Sequence, residues 1–160
     1  MVRLFFVVPL VFILGCNTRY ESSLISEIEL KDLEGNTISL QDYKGKVVFL
    51  NFWATWCGPC IREMPAIENA QKHFKNKPII FLLSSSESID KIKRFKEKKP
   101  FDFHYLQLDM SVEQLNIYSL PTTYIFNKKG KLIINETGAR MWDNNKNLEE
   151  LNKIIETDEI

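Results

Sequence analysis

The chain has 160 residues, 44% of them hydrophobic and 26% charged, which is enough for one domain with a proper core and too little for two. Lys and Arg together number 21, as do Asp and Glu, so the formal net charge is zero. That balance gives no electrostatic ground for nucleic acid as a partner.

Met1-Val2-Arg3 carries the amino terminus and one basic side chain, and Leu4 to Leu14 is then apolar and uncharged, broken only by Pro9. The run is short of the roughly 20 residues of a membrane-spanning helix and fits the apolar region of an export signal. It ends in Ile13-Leu14-Gly15-Cys16, which resembles the lipobox of bacterial lipoproteins. The resemblance implies a signal peptide over 1–15, cleavage before Cys16 and a diacylglyceryl thioether on its sulfur. The other reading is an uncleaved anchor, since Leu14 is bulkier than the residue usual at that step. Export places the chain where disulfides persist. A lipid on Cys16 takes the odd thiol of three cysteines out of redox chemistry. Residues 16–26 then read as a polar tether and 27–160 as the folded domain.

Ile28, Leu30 and Leu33, the turn Glu34-Gly35-Asn36 and the stretch Thr37 to Leu40 predict an amino-terminal β-hairpin. After a second turn, Val47 to Trp53 is apolar apart from Asn51 and predicts a central strand buried on both faces. Beyond Cys57 the period becomes helical, with Ile61, Met64, Ile67, Ala70 and Phe74 on one face and Pro65 inside, where it should kink the helix. Pro78 to Ser84 is a second buried strand, so strand, helix and strand form a βαβ unit with parallel strands. Ile89, Ile92 and Phe95 mark a helix that Pro100 ends. Its basic run from Lys91 to Lys99 reads as a solvated face, with an acidic partner or lipid headgroups as the alternative. A short strand within 101–108, a short helix near Val112 to Ile117, a hairpin of 124–126 with 132–134, and a last helix capped at Asp143 or Asn144 complete the domain. This order predicts a layered α/β domain around a parallel core.

Trp56-Cys57-Gly58-Pro59-Cys60 is where the chemistry lies, because two cysteines separated by two residues can close and reopen a small disulfide ring. Phe52 to Cys60, with Pro65 five residues after Cys60 and Leu120-Pro121-Thr122-Thr123 further on, resembles the thioredoxin superfamily. The hairpin, Thr55, Cys60 to Pro65 and the extra helix over 88–99 are similar to the TlpA/ResA group of envelope thiol-disulfide oxidoreductases. The resemblance covers roughly 27–156 and implies a thioredoxin-like α/β/α sandwich with a central mixed sheet. It implies no cofactor and no metal. It implies that Pro121 is a cis-proline beside the cysteines, and that Leu120, Pro121 and Thr122, with Trp56, Gly58 and Pro59, meet the substrate. Thioredoxin usually has a buried Asp where this chain has Asn51, and the resemblance carries that proton role onto Glu63, one helical turn beyond Cys60.

Cys57 falls at a strand-to-helix junction, where unsatisfied N–H groups and the helix dipole favour a thiolate. It is therefore the expected nucleophile, and Cys60, one turn in, the resolving thiol. Pro59 fits the first helical turn. Trp56 covers the cysteines and Trp53 packs in the core. His73 and His104 are isolated, and a zinc site needs about four ligands. The expected activity is reduction of protein disulfides in the bacterial cell envelope, facing the periplasm or exterior. Apocytochrome c is among the group's substrates, and an upstream membrane dithiol keeps such a protein reduced. Two rivals stand beside it: a peroxiredoxin-like thiol peroxidase, although 49–56 lacks the proline of that motif, and a copper- or haem-handling module using both sulfurs.

Overall fold

The computed structural model describes residues 24–99 and 101–157. The signal peptide, Cys16, residues 17–23 of the tether and Pro100 lie outside the described residues. Leu24–Glu27 is a helical turn (α1) whose Leu24 and Ile25 pack against the core, so the domain begins earlier than residue 27.

The hairpin forms from β1 (Leu30–Lys31) and β2 (Thr37–Ile38), with Leu30 opposite Ile38. Gly35, at φ 90°, supplies the left-handed residue that the turn needs. The stretch after β2 is a 3-10 helix over Leu40–Tyr43, where Ser39 caps by accepting from Gln41 N–H. The central strand β3 (Val47–Phe52) is buried at every position. Then follow α2 (Gly58–His73), β4 (Ile79–Ser85), α3 (Ile89–Lys98) and β5 (His104–Leu108). A 3-10 helix at Val112–Leu115, the hairpin β6 (Thr122–Phe126) with β7 (Leu132–Thr137), and α4 (Asn145–Glu156) end the chain. Asn144, not Asp143, caps α4 by accepting from Asn147 N–H.

The seven strands of the described residues join one mixed sheet in the order β2-β1-β5-β4-β3-β6-β7. β3 runs parallel to β4, and β4 to β5, while β6 is antiparallel to β3. The alternation of side chains along β3 builds two cores. Val47 and Phe49 enter one with Met64, Ile67, Ile92, Leu151 and Trp142, so α2, α3 and α4 all pack on that side. Val48, Leu50 and Phe52 enter the other, covered among the described residues by α1, the hairpin and the two 3-10 helices. The domain is the expected thioredoxin-like sandwich, with layers of unequal thickness. Asn51 falls on the α2 side by the same alternation, and the next element places it against Glu63.

Candidate active site

Four loops meet at one end of the sheet. β3 and β4 are parallel, so the loops after Phe52 and Ser85 leave on the same side. β6 starts opposite the end of β3, Thr122 facing Phe52, and Thr137 at the end of β7 faces Thr122. Pairing alone therefore brings together 53–57, 86–88, 119–121 and 138–141.

Cys57 is the N-cap of α2, with an extended backbone, and Pro59 stands in the first turn, where a missing N–H costs nothing. The Cys57 Sγ accepts from Cys60 N–H at 3.2 Å and is joined to Cys60 Sγ, the two Cα atoms 5.3 Å apart. Cys57 is 4% exposed and Cys60 1%, while Trp56 beside them is 73% exposed. Trp53 is buried in the core against Phe95 and Tyr105. Gly58 is packed close to Arg62: a Cβ there would stand 3.3 Å from the guanidinium. The Leu120–Pro121 peptide is cis. Pro121 C=O accepts from Gly138 N–H at 2.8 Å, and Thr122 Oγ1 donates back to Ser119 C=O. Leu120 keeps both backbone groups unbonded among the described residues.

Glu63 is 3% exposed and turned into the core. One oxygen accepts from Asn51 Nδ2 at 2.7 Å, and the other from Arg140 N–H at 3.0 Å. Asn51 also donates to Thr123 Oγ1 at 2.9 Å. Burial pushes the Glu63 carboxyl above its ordinary value. The Arg140 N–H, the Asn51 amide and the Trp142 indole hold back part of that rise. The indole contact is looser than the other two, since Trp142 Nε1 falls outside hydrogen-bond geometry. Asn51 and Glu63 are thus one unit: the residue that cannot titrate holds the residue that can.

Two further residues hold this geometry, and sequence reasoning passed over both. Glu87, two residues beyond β4, accepts from Thr55 N–H at 2.6 Å and from Thr55 Oγ1 at 2.9 Å. Lys91 stands 3.6 Å from the same carboxylate. Glu87 thereby fixes the loop two residues before Cys57. Its signal was its place, a carboxylate just after the strand parallel to β3. Glu87→Ala is expected to cost about 2 kcal/mol, because two bonds to a charged acceptor are lost. Urea unfolding checks this, and an unmoved midpoint would count against the clamp. Arg140 spreads its guanidinium over Glu136 at 3.0 Å and over Asn147 and Glu150 of α4, and it lies 4.8 Å from the Trp142 ring centre. That grip holds its own N–H on Glu63. No local pattern marks it, since Gly138-Ala139-Arg140-Met141 carries neither a motif nor a periodicity.

His73 and His104 are exposed. Among the described residues no group of three or more His, Cys, Asp or Glu is placed to hold a metal ion, and no helix is long and apolar enough to cross a membrane.

The sequence model of the AhpC/TSA family matches residues 23–134. The chain is 40% identical over 114 residues to the thioredoxin-like protein YneN of Bacillus subtilis, covering 69% of this chain and 67% of that one. It is 38% identical over 123 residues to the thiol-disulfide oxidoreductase ResA of the same organism, covering 74% of this chain and 68% of that one. Among solved structures it is similar to a thiol:disulfide interchange protein from Bacteroides sp., with a TM-score of 0.69 and 25% identity over 82% of this chain and 88% of that one.

Proposed function

Because the chain belongs to the AhpC/TSA family and is a thioredoxin-like thiol-disulfide oxidoreductase of the ResA kind, we propose that it reduces disulfides of envelope proteins while tied to a membrane through Cys16. The observation that carries the reading is Cys57 at the N-terminus of α2, disulfide-bonded to a deeper Cys60, at the same end of the sheet as a Leu120 backbone that has no intramolecular hydrogen bond among the described residues.

In the reduced protein, the helix end and its N–H donors favour a Cys57 thiolate. That thiolate attacks one sulfur of the substrate disulfide. A Cys57–substrate bond forms, and the other substrate sulfur leaves as a thiolate. Leu120 N–H and C=O pair with the substrate strand and hold its sulfur in line, while Trp56 supplies apolar cover. Cys60 then passes its proton to Glu63 and attacks Cys57 Sγ. The second substrate thiolate leaves, and the Cys57–Cys60 bond closes. Two electrons have moved to the substrate, and an upstream membrane dithiol must return them. Glu63 suits the acceptor role because burial raises its proton affinity while the Arg140 N–H and the Asn51 amide keep the charged form accessible.

Gly58 and Pro59 between the sulfurs match thioredoxin, so the couple is expected to lie near about −270 mV. Equilibration of the purified chain against glutathione and dithiothreitol buffers gives the potential, and turnover of insulin disulfides gives the activity. A potential near about −120 mV, the range of a strong oxidant, overturns the direction of electron flow. Consumption of peroxide without a protein disulfide, or stoichiometric copper or haem binding without insulin reduction, overturns the activity itself. The mass of the amino-terminal peptide reports the thioether on Cys16.

A further inference from the structure

At the end of the sheet opposite the disulfide, the turn before β3 and the turn between β6 and β7 are tied by Gly45 N–H donating to Lys128 C=O at 3.0 Å. Between them and α1 lies a cavity of about 220 Å³, lined by Ile25, Tyr43, Lys44, Lys46, Lys128 and Lys129 among others. Lys44, Lys46 and Lys129 are exposed and form no ion pair among the described residues. Asp42 sits beside Tyr43 and offsets part of the charge. The chain as a whole is neutral, so this cationic rim is a local excess.

Its place matters as much as its charge. β3 is six residues long, which puts the rim about 20 Å from the Cys57 loop along the strand. Ile25 of α1 lines the same cavity, and α1 is where the described domain begins. Only seven residues separate Cys16 from Leu24, a reach of at most about 28 Å when extended. A lipid on Cys16 would therefore keep this end of the domain near the bilayer surface.

We propose that the cavity and its lysine rim bind the phosphates of anionic lipid headgroups, so that the domain stands on the membrane with the Cys57–Cys60 pair facing away from it. This rests on the tethering reading. Lysines near an anionic surface are attracted within a Debye length. Ile25 and the aliphatic lysine stems supply apolar lining at the level of the headgroups.

The test is amine acylation of the full chain, read lysine by lysine by peptide mass spectrometry. It is run in phosphatidylcholine vesicles, in vesicles also containing phosphatidylglycerol, and in detergent with inorganic phosphate. Labelling of Lys44, Lys46 and Lys129 is expected to fall several-fold with phosphatidylglycerol and to recover at about 1 M salt, where the Debye length is about 3 Å. Lys93 and Lys96 of α3 are expected to label alike in both vesicles. Equal labelling of the three rim lysines in both vesicles overturns the proposal. So does protection by inorganic phosphate without protection by the anionic vesicles, which makes the rim a free-anion site. The same digest reports the mass at Cys16. Rim protection on an unlipidated chain therefore keeps the headgroup site and removes the tether, and a lipidated chain with no protection does the reverse.

Discussion

Cys57→Ser is expected to lower insulin reduction by on the order of 10³-fold or more, because the hydroxyl that replaces the thiol stays protonated and is a far weaker nucleophile toward sulfur. Cys60→Ser should fail differently. Its Cys57 still sits at the N-terminus of α2 and still attacks, but nothing closes the ring, so the mixed disulfide accumulates. A peptide disulfide incubated with each variant separates the two cases. The Cys60→Ser chain gains the mass of one peptide thiol on Cys57, and the Cys57→Ser chain gains none. Adduct on Cys60 in the Cys57→Ser chain would reverse the assigned roles. Cys57 is the less buried of the two residues and caps the helix, and the Cys60 N–H is already turned toward Cys57 Sγ.

Glu63→Gln is expected to slow the resolving step by about 10²-fold at neutral pH, the usual contribution of a positioned proton acceptor. The wild-type rate of mixed-disulfide resolution should rise with pH through the elevated Glu63 value. In the variant only the thiol's own ionisation, near about pH 8.5, remains to drive the rise. An identical pH–rate profile in the two proteins would falsify the proton role. Stability gives a second, independent reading. The folded carboxyl has its pKa raised by burial, so the folded state holds a proton that the unfolded chain releases from about pH 4.5 upward. Stability is thus full below that pH and falls as the pH rises through the folded value of Glu63. The oxidised Glu63→Gln protein should lack that part of the slope in urea titrations. A slope that persists would place the proton uptake on another group.

The two acids of the site differ in what they do. Glu63 is buried, its proton affinity raised by desolvation, and suited to exchange a proton. Glu87 accepts two hydrogen bonds from Thr55 beside Lys91, and so holds a loop. Substitution at Glu87 is therefore expected to register first in stability, and substitution at Glu63 first in the pH dependence of exchange.

Much of this was legible in the amino-acid order. The unbroken apolar run of β3, the helical spacing from Ile61 to Phe74 and the turn residues around Gly35 and Gly130 are local signals, because backbone periodicity is set by near neighbours. Two cysteines at a strand-to-helix junction are equally local, which is why Cys57 and Cys60 stood out at once. Leu24 and Ile25 are two apolar residues with no periodic run around them, and it is their packing on the second core that goes with the helical turn there.

What lay beyond the sequence was everything set by strand order. Arg140 is seventy-seven residues from Glu63, and its N–H reaches that carboxylate because β7 returns beside β6, which pairs with β3. Glu87 reaches Thr55 because β3 and β4 are parallel neighbours. Residue order alone specifies the sulfur pair, the helix that begins at it and the α/β class. The tertiary structure alone decided that Glu63 is buried, which donors hold it, and which end of the sheet carries the lysine rim. Periodicity is written over a few residues, whereas desolvation and hydrogen-bond partnership depend on which distant strands become neighbours.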